Sequence, residues 1–247
     1  MDNWGKVAAR LKRLDGEIER LKTIEQPVTA IGGWLEIPNG SWSYASTTTI
    51  TVPSGAASIY AVGDQVRLKQ GGAYKYFYIV AVADTLLTVT GGSDYSVAEA
   101  TITDAAFSKG GGVGHPGFFN YTVVWTATGT NPTLGNGTLE GRFWLSGRAV
   151  TIVIFLTFGS TTAMGTGNHW LSLPITAASG LYDNTARFRD AGVANYVRLA
   201  SIITTQSPDN ITTFTSLTGN ENTWTPTIPF AMGKGDTLVI QLPYLAA

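Results

Sequence analysis

The stretch RAVTIVIFLTF, residues 148–158, decides the kind of fold this chain adopts. Val150, Ile152, Ile154, Leu156 and Phe158 alternate with Thr151, Val153, Phe155 and Thr157, and a period of two reads as a β-strand. A sandwich strand with one wet face alternates apolar with polar residues. Here the second face also carries Val153 and Phe155, so both faces are expected to be covered, the second by a neighbouring subunit.

Working outward, the same pattern recurs in YTVVWTAT (121–128), GTLEGRFWLS (137–146), HWLSLP (169–174), NYVRLASIITT (195–205) and DTLVIQLPY (236–244). These runs predict a C-terminal antiparallel β-sandwich of jelly-roll type over residues 118–247. Upstream lies KGGGVGHPG, a glycine-rich hinge at 109–117. Before it, TTTITV (47–52), QVRLKQ (65–70), YKYFYIVAVA (74–83) and TLLTVTG (85–91) are β-branched and aromatic, with turn residues between them. They predict a small β-barrel-like module over 34–108, whose Arg67, Lys69 and Lys75 are expected to cover its outer faces.

The first 26 residues read differently, because the chain's few charges crowd there and apolar residues recur at 3-4 spacing. Trp4, Leu11 and Ile18 take heptad position a, and Val7, Leu14 and Leu21 take d, a seam that predicts a parallel coiled coil. In a parallel pair Arg10 would face Asp15 and Glu17 would face Lys22, both of opposite sign. Pro27 ends this segment, and 27–33 read as a linker. The expected fold is therefore mainly β behind an N-terminal oligomerisation helix.

Composition narrows the function classes. Charged residues are 13% of the chain, about half the usual share, and the formal net charge is -1. A protein without a basic footprint is not expected to bind nucleic acid, and no run of about 18 apolar residues predicts membrane insertion. The absence of cysteine excludes thiolate nucleophiles and Cys-based metal sites. Of the two histidines, His115 lies in the glycine-rich hinge and His169 at a strand start beside Trp170. The carboxylates sit mostly in turn-like contexts, and no hydrolase motif occurs. No catalytic residue, metal or cofactor is expected, apart from an open possibility of calcium at a loop over 182–190. Among the aromatics, Trp125, Trp144 and Trp170 fall within strand patterns, whereas Tyr182 and Trp224 fall among Asn and Thr and are the expected platforms for a sugar.

YASTTTITVPSGAASIYAVGDQVRLKQGGAYKYFYIVAVADTLLTVTGGSDY resembles a module of tailed-bacteriophage tail and minor structural proteins. GTNPTLGNGTLEGRFWLSGRAVTIVIFLTFGSTTAMGTGNHWLSLP is similar to the C-terminal β domain of phage tail fibres. The resemblance spans residues 44–174. It implies a virion structural protein, made in the host cytoplasm, that forms a homotrimer and attaches to other virion proteins through its N-terminal region. Host-surface contact, with a glycan as receptor, would fall to the C-terminal β domain. A capsid-decorating or baseplate fibre is the alternative, and a glycan-cleaving tailspike a third.

Overall fold

The computed structural model describes residues 10, 12–13, 29–30, 32–37, 41–178, 182, 184–193, 196–203, 210–211, 213–216, 224–227 and 229–247. It is nearly all β, with 49% of residues in strands, and every pairing is antiparallel. The expected N-terminal coiled coil is not part of this fold, since no helix among the described residues reaches seven residues. Its seam positions Trp4, Val7, Leu11, Leu14, Ile18 and Leu21 lie outside the described residues. A heptad seam of this length stabilises a helix only when a partner covers it, so the pattern alone does not dictate the element.

The first sheet is built from β1 (Thr29–Ala30), β2 (Trp34–Glu36), β3 (Ser43–Ser46), β4 (Thr49–Thr51), β5 (Gln65–Gln70), β6 (Ala73–Ala83), β7 (Leu86–Thr90) and β8 (Thr103–Ser108). Their order is β1-β2-β8-β5-β6-β7-β4-β3. The expected barrel is thus an open sheet with β1 and β3 at its edges. Val66, Leu68, Phe77, Ile79, Leu87 and Val89 point to one core, closed by Trp42, Val97, Ile102 and a short helix, α1 (Ala56–Ile59). Bulges interrupt the β5–β8 and β6–β7 ladders, and a bulge bends the strand that carries it.

The second unit begins with β9 (Phe119–Tyr121) and β10 (Trp125–Ala127), which the single strand-like run 121–128 does not separate. The chain leaves one sheet and enters the other between them, because β9 pairs with a different strand from β10. The remaining strands are β11 (Thr138–Ser146), β12 (Ala149–Thr157), β13 (His169–Ser172), β14 (Asn184–Asp190), β15 (Tyr196–Ile203), β16 (Asn210–Ile211), β17 (Thr213–Ser216) and β18 (Thr237–Leu245). Seven form a sheet of order β17-β15-β14-β18-β12-β11-β9, and β10-β13-β16 form a smaller one. This unequal pair replaces the expected jelly roll. The C-terminal strand explains the difference: β18 pairs with β12 along all nine residues and with β14 through Thr237–Ile240, fusing two hairpins into one sheet.

The inner face of the large sheet supplies Phe143, Ile152, Ile154, Leu156, Phe188, Leu238, Ile240 and Leu242 to a core completed by Trp125, Leu171 and Trp224. Pro243 is tolerated within β18 because β14 has ceased to pair there, and proline is confined to positions that need no ladder donor.

The glycine-rich segment 109–117 is exposed along much of its length but anchored at Gly112, Val113 and His115. Gly112 donates its N–H to Gln65 Oε1 at 3.0 Å, and Trp34 Nε1 donates to the Val113 carbonyl at 2.9 Å. His115 lies among Trp34, Tyr76, Tyr78 and Phe119. Tyr78 of the first sheet meets Phe119 of the second edge-on at 5.4 Å, and Asp94 accepts from the Asn120 backbone N–H at 2.7 Å. At this junction Gly92 has φ +63, and a Cβ there would stand 1.9 Å from the Asn120 carbonyl oxygen.

Gly92→Ala should therefore wedge the junction apart, whereas Gly71→Ala has a similar φ of +59 and nothing within 4 Å. The control should lose about 1–2 kcal/mol from the left-handed backbone alone. Gly92→Ala should lose clearly more, and its calorimetric trace should broaden or split; equal losses would show that the junction does not couple the two units.

Candidate functional site

Of the two aromatic residues expected to hold a sugar, Trp224 is a core residue and Tyr182 lies at the core's margin. Trp224 is fully buried, stacked on Trp125 with ring centroids 5.5 Å apart and edge-on to Phe188. A sequence position among Asn and Thr suggests exposure, but the partner that buries this ring comes from β10, far away in the chain. Tyr182 is half-buried: its ring meets Tyr244 at 6.1 Å and its hydroxyl donates to the Ala178 carbonyl at 3.2 Å. Burial removes Trp224 from the surface, while Tyr182 is braced by these contacts and remains partly accessible. The 182–190 segment proposed as a calcium loop is mostly strand β14, whose ladder holds it extended between β15 and β18.

His169 belongs to the same aromatic core. Trp125 Nε1 donates to His169 Nδ1 at 3.2 Å, which places the imidazole proton on Nε2, and Nε2 is buried without a partner. Burial lowers its pKa to about 4. His115 is also lowered, first by burial, against the carbonyls of Phe77 and Pro116 that face its ring nitrogens. Both rings are held neutral by packing, a poor arrangement for acid–base chemistry at neutral pH.

Val153 and Phe155 lie on the outer face of the large sheet, as the alternation requires. Val153 is half-buried between Arg142 and Gln241, and Phe155 is 41% exposed between Glu140 and Val239. Trp144, Pro243 and the 51% exposed Leu245 extend this face. Its apolar residues are flanked by Glu140 and Arg142 on one side and by Arg187 of β14 on the other.

A second feature lies on the outer face of the first sheet, where Glu36, Ile37, Arg67, Tyr74, Asp104 and Ala106 line a cleft of about 470 Å³. The register sets Glu36 and Arg67 on either side of Ala106. Arg67 is half-buried, its guanidinium carbon 5.0 Å from the Trp34 ring centroid and 5.0 Å from that of Tyr74. It forms no ion pair with any described residue, and its Nε is buried without a hydrogen-bond partner. The β8 bulge brings Asp104 to the same face at φ 48, the one non-glycine residue with positive φ among those described. Asp104 lies 3.8 Å from Lys69 Nζ. Short aspartate side chains tolerate that conformation, and bulges re-aim side chains.

Sequence reasoning assigned Arg67 to a solvated outer face and missed this cleft. The alternation of QVRLKQ gives the face correctly, but the clamp needs Trp34 and Tyr74, and the bulge has no sequence signature. Lys75, by contrast, was misplaced: it stands opposite the core residue Leu68 and so lies on the inner face near the end of the sheet, where it donates to the Ser96 carbonyl at 2.7 Å. No protein-family model, curated protein or solved structure matches the chain.

The histidine geometry gives a pH dependence with a defined sign. A folded-state pKa below the unfolded value of about 6.5 makes the neutral ring stabilising above that pH, and the contribution is lost as pH falls toward about 4. The loss attributable to His169 should approach about 3 kcal/mol at the acid end. Urea midpoints measured from pH 7 down to pH 4 should fall accordingly, and His169→Phe should flatten the slope; an unchanged slope would place the acid sensitivity elsewhere.

Proposed function

We propose that the protein is a bacteriophage virion structural protein, a trimeric tail-fibre adhesin whose copies associate through the outer face of β11, β12 and β18. The observation that carries this reading is the outward pair Val153 and Phe155 on β12 of the large sheet. Burying a phenylalanine and its aliphatic neighbours against a second copy contributes about 1.5–3 kcal/mol per side chain. The charges suit a head-to-tail contact closing into a ring, since Glu140 lies at one flank of the face and Arg187 at the other. Exposed ion pairs add little affinity but fix orientation.

The resemblance over residues 44–174 supports the phage assignment, and the low charge of the chain fits surfaces buried in an assembly. Because Trp224 is held in the core, receptor contact falls to residues that remain accessible. Antibodies raised against residues 118–247 and labelled with gold should decorate the tail end of intact particles and block adsorption to host cells. Decoration of the capsid shell with adsorption unimpaired would contradict the adhesin role, and absence from purified particles would contradict the virion assignment altogether.

A further inference from the structure

We infer that the Arg67 cleft of the first sheet is a binding site for a neutral saccharide. The four charged groups around it balance: Arg67 and Lys69 oppose Glu36 and Asp104. An anionic ligand would meet two carboxylates, and a cationic one would meet the guanidinium and the ammonium. A sugar hydroxyl carries no charge and is both donor and acceptor, so adjacent hydroxyls can accept from Arg67 while donating to Glu36 or Asp104.

The geometry favours an acceptor at Arg67 in particular. Its plane is held between Trp34 and Tyr74, so its donors are preorganised, and its buried Nε lacks an acceptor. That Nε lies beneath the surface, so it is the outer nitrogens of the half-buried guanidinium that a ligand oxygen meets from the cleft. Tyr74 is 42% exposed and, with the half-buried Ile37, supplies apolar surface beside the cations Arg67 and Lys69, which lie 5.0 and 5.6 Å from its ring centroid. A volume of about 470 Å³ lies within the ordinary range of small-ligand sites.

The adhesin reading supplies the biological setting of the cleft, whereas its ligand chemistry stands on the side chains alone. The full chain should be applied to an array of immobilised neutral and acidic oligosaccharides. Capture by at least one neutral oligosaccharide is expected, weakened tenfold or more by Tyr74→Ala and by Arg67→Lys, since lysine cannot stack as a plane or donate as a fork. Glu36→Gln, at an exposed position, should weaken capture severalfold with an unchanged melting temperature. The site is overturned if no neutral oligosaccharide is captured, if only acidic ones are, or if capture is indifferent to Tyr74→Ala and Glu36→Gln in folded protein. Capture on the array together with no labelling of particles would uphold the cleft and remove the virion role.

Discussion

The insertion of β18 between β12 and β14 is the interaction on which the C-terminal unit depends. Nine residues pair with β12, and Leu238, Ile240, Leu242 and Tyr244 enter the core from the same strand. Without it, the β11–β12 and β14–β15 hairpins would each expose an unpaired edge and half of a core. Strands from opposite ends of a unit must meet before this ladder forms, so its entropy cost is paid before its contacts are gained. The same strand also shapes the outer face, because Val239, Pro243 and Leu245 lie beside Phe155, Thr151 and Ala149 in that register.

The two units are tied together by side chains as well as by the linking segment. Tyr78, His115, Phe119 and Phe143 form a continuous aromatic contact across the junction, and Gly92 allows the backbones to approach closely. That packing fixes His115 and makes the 109–117 segment a buttress. Farther along the outer face of the first sheet, Tyr76 lies against Trp34, and Trp34 against Arg67. The cleft therefore sits at one end of a chain of packed rings whose other end is the unit junction, a rigid support for a preorganised guanidinium.

Much of the strand content was legible because it rests on local alternation: QVRLKQ is β5, and RAVTIVIFLTF contains β12. β14 was not, because NTARFRD carries charges on its outer face and reads as a loop when its neighbours are unknown. Long-range packing was equally hidden. Trp224 finds Trp125 only after the smaller sheet covers the larger, and Arg67 acquires its clamp from strands that flank it only in the folded sheet. The N-terminal heptads show the converse limit, where a regular pattern depends on a partner and cannot by itself establish the element.

The central claim is that Val153 and Phe155 are the contact between copies, and molar mass in dilute solution tests it most directly. Light scattering of the full chain should give three times the 26.2 kDa of one copy, and Phe155→Asp should lower that mass without loss of β structure by circular dichroism. A wild-type mass of 26.2 kDa, or a trimer indifferent to Phe155→Asp, would contradict the account.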